Sequence, residues 1–275
     1  MPILDIDMGN TRTKWRCADE AGALPAPELP CPVAGPERVR VASVLRNREG
    51  IAAEIRRRFN VEAEFAATSA SLAGVRCGYR EPHRLGVDRW LAVAAAWQRT
   101  HHALAVISVG TAACADFVDA DGRHAGGYIA PGLRLLADAL DRRTADVRPY
   151  PREEPSAGER EGPAPRKEEP SAGEREGRTP RKEEPSAGER EGPASRKEEY
   201  RLEPGTDTQQ AVAAGTFLML SAFVDAAIGR LHSRSAPPVA VFLTGGDAAL
   251  LAPRLSVDVR CEPELVLDGL AIALP

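Results

Sequence analysis

Three tandem copies of a 15-residue unit, EEPSAGEREGPAPRK, EEPSAGEREGRTPRK and EEPSAGEREGPASRK, occupy residues 153–197 of this 275-residue chain. Their only hydrophobic-class residues are five alanines, so the tract cannot bury enough apolar surface to offset the entropy of ordering it. A solenoid needs an apolar face on which successive repeats stack, and none of these units has one. The expectation is a solvated, disordered low-complexity insertion spanning about 151–200, and a fold built from the residues around it. In that body about 49 % of residues are hydrophobic, a normal globular composition.

The formal charge is −4, with basic residues scattered rather than gathered in a stripe. That gives no electrostatic footprint for nucleic acid. No uninterrupted apolar run approaches the roughly 18 residues that cross a bilayer. The start, Met-Pro-Ile-Leu-Asp-Ile-Asp, lacks a basic leader and an apolar signal core. Five cysteines (17, 31, 77, 114 and 261) show no CxxC spacing, so neither a disulfide framework nor a zinc site is indicated. A cytoplasmic protein without membrane or nucleic-acid partners is expected.

Within the body, strand and helix alternate. Ile3 to Asp7 predicts a strand, with Thr13 to Cys17 its hairpin partner. Val39 to Val44 and Val61 to Phe65 are further strand candidates around a helix near Arg48–Phe59. Asp88 to His102 predicts a helix, with His101-His102 at its surface end. The opening pattern then recurs: Ala103 to Val109 is an apolar strand, Phe117-Val118 its hairpin partner, and Asp121-Gly122 a turn. Gly126 to Gly132 is expected to lead into a helix, Leu133 to Arg143. Thr208 to His232 reads as a long helix, Val239 to Thr244 as a strand, and Glu264 to Ala273 as a final helix.

Two turns stand about 100 residues apart, Gly9-Asn10-Thr11 and Gly110-Thr111-Ala112, each after an apolar strand. Glycine admits phosphate oxygens close to the backbone, where amide N–H and threonine hydroxyl groups donate to them. Asp7, just before the first turn, could hold Mg²⁺, and Lys14 supplies a point charge. A third glycine turn follows at Gly245-Gly246. Nucleotide binding between two related lobes is the natural inference.

At this point the residues resemble a known family. Asp7-Met8-Gly9-Asn10-Thr11-Arg12-Thr13-Lys14 is similar to the D-x-G-N-T-x-x-K phosphate motif of type III pantothenate kinases. Gly86-Val87-Asp88-Arg89 resembles their G-x-D-R substrate motif. Val109-Gly110-Thr111-Ala112, then Gly126-Gly127 and Pro131-Gly132, resembles their second phosphate segment, and Leu243-Thr244-Gly245-Gly246-Asp247 their adenosine-side turn. No single motif is very specific; the ordered set, covering residues 3 to about 272, is.

The resemblance implies an α/β fold of the acetate and sugar kinase, Hsp70 and actin superfamily: two duplicated ribonuclease H-like lobes around a nucleotide cleft. The lobes would be 1–102 and 103–275, the second interrupted by the repeats. The implied reaction is ATP-dependent phosphorylation of pantothenate, the first step toward coenzyme A, by a homodimer using Mg²⁺. Carried over by position, Asp88 is the general base. Tyr79, Gly86, Val87, Arg89 and Thr208 fall in the pantothenate-binding set, and Thr111 and residues 7–14 at ATP-contacting positions. One departure concerns a monovalent cation, K⁺ or NH₄⁺: family members usually have its Asp ligand two residues before the second-segment glycine, and here that residue is Ser108. A neutral hydroxyl is a weaker ligand than a carboxylate. Two other readings remain at this stage, a kinase of another small alcohol and a non-catalytic nucleotide-binding regulator.

Overall fold

Along β1 (Ile3–Met8), Leu4, Ile6 and Met8 alternate with Asp5 and Asp7, so one face of the strand is apolar and the other acidic. Strand geometry sends successive side chains to opposite faces, and the two faces meet different partners. The apolar face packs with Val39, Val41, Ile51 and Ile55 in one core. Asp5, on the other face, accepts from both Arg16 and Arg40. The computed structural model describes residues 2–33, 35–144, 147, 200 and 202–275; the repeat insertion expected at 153–197 lies outside them.

β1 pairs antiparallel with β2 (Arg12–Cys17), which pairs with β3 (Glu20–Pro25). On its other side β1 runs parallel to β4 (Arg38–Ser43), and β4 to β5 (Ala63–Phe65). The order is β3-β2-β1-β4-β5. Helix α1 (Arg48–Phe59) covers the apolar face; Asn47 caps its start by accepting from the Gly50 amide, and Asn60 ends it in the left-handed region. A short hairpin, β6 (Ser71–Leu72) and β7 (Val75–Arg76), follows.

The second sheet repeats the plan. β8 (Leu104–Val109), β9 (Ala112–Val118) and β10 (His124–Pro131) form an antiparallel meander, and β11 (Ala240–Thr244) and β12 (Arg260–Cys261) extend it in parallel. Its order is β10-β9-β8-β11-β12, the order of the first sheet. One α/β half thus occurs twice, the duplicated ribonuclease H-like architecture expected from the sequence.

Helix α2 (Val87–Thr100) lies between the two sheets. Trp90, Val93 and Ala96 pack with Leu104, Val106 and Phe242 of the second sheet, while Val87 and Leu91 pack with Ala42 and Leu270. Beyond α3 (Leu133–Arg143), helix α4 (Thr208–His232) lays Phe217, Leu220, Val224 and Ile228 on the opposite face of β8, against Ala105, Ile107 and Val109. Among the described helices α4 alone has the length and hydropathy to cross a membrane, although polar residues interrupt its apolar run; half of its most apolar stretch is buried in the fold. After the short α5 (Ala248–Leu251), α6 (Leu265–Ala273) closes on α2. A β-carbon at Gly269 would stand 2.1 Å from the Leu91 carbonyl, so glycine permits that approach.

The helices at 48–59, 133–143 and 208–232 fall where expected. Two strands do not. β9 is seven residues long rather than the pair Phe117-Val118. The stretch from Gly126, expected as a lead-in to a helix, is most of strand β10. Glycine disfavours strands, but a β-carbon at Gly127 would stand 2.6 Å from Asp116 Oδ1 and 2.8 Å from Arg89 Nη2. Side chains already fill that space, and glycine is what the ladder tolerates there. β3, β6, β7, β12 and α5 were not anticipated; they are short or lack an alternating apolar pattern.

Candidate active site

The three glycine turns converge. Gly9 donates its amide to the Arg12 carbonyl at 3.0 Å and Gly110 to the Ala112 carbonyl at 3.0 Å, closing tight connections after β1 and β8. Across the two halves, the Thr11 and Thr111 hydroxyls lie 2.7 Å apart. Gly245, at φ +103°, is in a region disfavoured for other residues, and a β-carbon there would stand 2.1 Å from the Val109 carbonyl. A β-carbon at Gly132 would stand 1.9 Å from the Gly110 carbonyl, and one at Gly246 would lie 3.9 Å from Arg12 Nη1. Asn10 and Thr111 are exposed beside these turns. Met8 and Thr13 point the other way: both are fully buried, and the Thr13 hydroxyl has no hydrogen-bond partner among the described residues. Only their backbone can face a ligand.

Asp7 stands opposite Lys14 in the β1–β2 register. Its carboxyl is pushed up to about 7, first by burial and then by Asp88, against the pull of Lys14. Lys14 donates to the Pro263 carbonyl at 3.0 Å, and burial lowers its proton affinity. Asp88 sits in the first turn of α2, behind Gly86 at the N-cap. Burial raises its carboxyl, while the Arg89 backbone amide holds it partly down. Desolvation is therefore the larger effect on its ionisation, ahead of the backbone amides at the helix start. Asp88 does not occupy the N-cap position, and Arg89 makes its ion pair with Asp116.

Arg89 donates from Nε to Asp116 Oδ2 at 2.8 Å and from Nη2 to Oδ1 at 2.6 Å, a bidentate buried pair. Its Nη1 donates to the Tyr79 hydroxyl at 3.2 Å. His124, also fully buried, places Nε2 2.9 Å from Asp116 Oδ1. Tyr79 is brought here because Arg76 donates its amide to the Gly122 carbonyl at 2.8 Å, tying the loop onto the β9–β10 turn. Sequence reasoning did not single out Asp116 as a partner of Arg89, or His124 at all. The available signal was a lone carboxylate within the apolar run Ala112–Val118, since a buried carboxylate demands a partner.

Ser108 lies beside Thr244 of β11 and opposite Cys114 of β9. Both neighbours are neutral; burial pushes the Cys114 thiol up to about 11. Asp116, the nearest acid along β9, is engaged by Arg89 and His124. Among the described residues no three His, Cys, Asp or Glu gather as a metal-binding set. Thr208 is the exposed first residue of α4, and no described contact brings it to Asp88.

A family model described as type III pantothenate kinase matches residues 3–160. A type III pantothenate kinase of Ectopseudomonas mendocina is 34 % identical, over 99 % of this chain and 99 % of its own length. One from Pseudomonas aeruginosa is 33 % identical over the same shares. Among solved structures, a conserved candidate Baf family transcriptional activator from Campylobacter jejuni superposes with a TM-score of 0.54 at 15 % identity, covering 98 % of this chain and 95 % of that one. A likeness at that identity speaks to the fold alone.

Proposed function

The chain belongs to the type III pantothenate kinase family, and from that premise we propose how its own residues carry the reaction. It is a kinase that transfers phosphate to pantothenate in coenzyme A synthesis. ATP is the donor in this reading. Phosphoryl transfer asks the protein for positioning and charge stabilisation rather than covalent chemistry, and the division of labour follows the two sheets.

The amides and hydroxyls of the Gly9–Thr11 and Gly110–Thr111 turns cradle the phosphates, and the Gly245-Gly246 turn takes the adenosine side. Asp88 orients the primary hydroxyl of pantothenate. That oxygen forms a bond to the γ-phosphorus, the bond from phosphorus to the β–γ bridging oxygen breaks, and the hydroxyl proton passes to Asp88. A carboxylate with raised proton affinity is the better acceptor, provided it is ionised when the substrate arrives. Arg89 and Tyr79, with Gly86 and Val87, wall the pantothenate pocket. Thr208 belongs to the pocket only by resemblance.

Asp7, half-buried and near a second carboxylate, would hold a divalent cation, a hard ion that takes carboxylate oxygens as Mg²⁺ does. When bound, that ion neutralises charge on the transferring phosphate. A monovalent cation does not fit as well: Ser108, Thr244 and Cys114 offer no anionic ligand, and no step is assigned to it. A homodimer is supported by exposed Ile129, Leu135, Leu218 and Met219 on β10, α3 and α4, apolar side chains that a second copy would cover, and a cytoplasmic place by the role in coenzyme A synthesis. The lobes divide near residue 102.

The observation that carries this reading is Asp88, which couples to Asp7 at the phosphate turns on one side and adjoins the Arg89–Tyr79 group on the other. Asp88→Asn keeps the shape but cannot accept the proton. Turnover should fall by about 10²–10⁴, with binding of a non-hydrolysable ATP analogue unchanged. Near wild-type turnover would remove Asp88 from the mechanism.

A further inference from the structure

Tyr79, Arg89, Asp116 and His124 form a closed ring of contacts. His124 Nε2 meets Asp116, Asp116 holds Arg89 through two bonds, Arg89 reaches the Tyr79 hydroxyl, and the Tyr79 ring stacks on His124 at 5.9 Å and 22°. The direction of each hydrogen bond follows from the groups. An ionised carboxylate only accepts, so both Arg89 and His124 Nε2 donate to Asp116. A guanidinium only donates, so the Tyr79 oxygen accepts from Arg89 Nη1. The phenol proton must then point away from Arg89. The chain of donors ends in the one O–H of a half-buried side chain, whose proton is left for a further acceptor.

This ring also settles the charge that Arg89 can offer. Its Nε and Nη2 are committed to Asp116, and the pair is neutral as a unit. An incoming substrate therefore meets an oriented hydroxyl donor beside a neutralised cation, not a bare guanidinium. His124 is fully buried, its Nδ1 has no hydrogen-bond partner among the described residues, and Trp90 meets the ring edge-on at 6.4 Å between centroids. Two glycines leave room for it: a β-carbon at Gly78 would stand 1.8 Å from the His124 carbonyl, and Gly127 clears the Arg89–Asp116 pair.

We propose that His124 and Asp116 are positioning residues that, through Arg89, aim the Tyr79 hydroxyl as a hydrogen-bond donor to an acceptor oxygen of the acid substrate. The proposal rests on the pantothenate reading of this pocket. Neither residue touches substrate; both act through Arg89 and Tyr79.

The test is a cycle of His124→Phe, Tyr79→Phe and the double variant, with steady-state kinetics for both substrates. His124→Phe keeps a ring against Tyr79 and loses the donor; Tyr79→Phe loses the hydroxyl. Each should raise the pantothenate KM about 3- to 10-fold, the scale of one lost hydrogen bond, with the ATP KM unchanged. The double variant should be no worse than Tyr79→Phe alone, because both changes act on one hydroxyl. Additive effects, or equal rises in both KM values, overturn the proposal. Should His124→Phe fail to fold, His124→Gln, which keeps a donor within reach of Asp116, must bind pantothenate as wild type does; a comparable rise in KM there overturns it. A wild-type chain that does not phosphorylate pantothenate overturns the underlying reading, an outcome distinct from either.

Discussion

Replacing Asp7 with Asn should stabilise the metal-free, nucleotide-free chain while abolishing its turnover, and the stabilisation should depend on pH. In the fold the Asp7 carboxyl rises from 3.8 to about 7, chiefly through burial and secondarily through Asp88. The folded chain therefore holds this proton more tightly than the unfolded chain does. The resulting stability is fully present below the unfolded value of 3.8 and is lost as pH rises through about 7. At about 1.4 kcal/mol per tenfold change in proton affinity, the ceiling is roughly 4 kcal/mol. Asp7 keeps partial exposure to solvent, and screening there reduces the figure to about 2 kcal/mol. Asparagine resembles the neutral form and never charges. At pH 8 in EDTA the Asn variant should melt higher by about 4–8 °C, the size expected for a chain of this length. At pH 4 the two proteins should melt together. Thermal unfolding followed by circular dichroism at pH 4, 6 and 8 measures this directly. Equal melting temperatures at pH 8, or a gap that does not shrink on acidification, would refute the argument.

Two further outcomes follow from residues outside the Asp88 group. The wild-type enzyme should respond weakly to K⁺, and Ser108→Asp should create or strengthen that response in turnover assays with K⁺ present and absent; strong K⁺ activation of the wild type would sink the idea. Deleting residues 153–197 should leave turnover and melting temperature nearly unchanged, because a tract with five alanines as its only hydrophobic-class residues has no core to lose and closure entropy grows slowly with loop length. A large fall in either would show that the tract contributes to the fold or the site.

The sequence made much of this legible because periodicity and motif order coincide. Leu4, Ile6 and Met8 announce a strand with one apolar face, and the ends of α1, α3 and α4 could be placed because polar or glycine-rich stretches interrupt the apolar periodicity there. The site was readable to the extent that its residues are near neighbours in sequence, as in Asp7 to Lys14 and Gly86 to Arg89. What could not be read depends on register and layer contact. Arg89 and Asp116 are 27 residues apart, and they meet because Asp116 lies opposite Val106 on the face of β9 that α2 covers. Nothing local to either residue specifies that face. The same holds within the phosphate motif, where strand alternation turns the Met8 and Thr13 side chains into the core and leaves Asp7 and Lys14 on the other face.

The matching strand order of the two sheets places Ser108 opposite Cys114 one step before its turn, as Asp7 stands opposite Lys14 one step before the other. Two identical halves would offer a nucleotide two interchangeable ways to lie between them, with nothing to distinguish donor end from acceptor end. Here the symmetry is broken at its most consequential pair: an acid and an amine on one side, a hydroxyl and a thiol on the other. In the reading proposed above, the cleft thereby acquires a polarity, with an acid and an amine at the turn of one half and neither at the turn of the other.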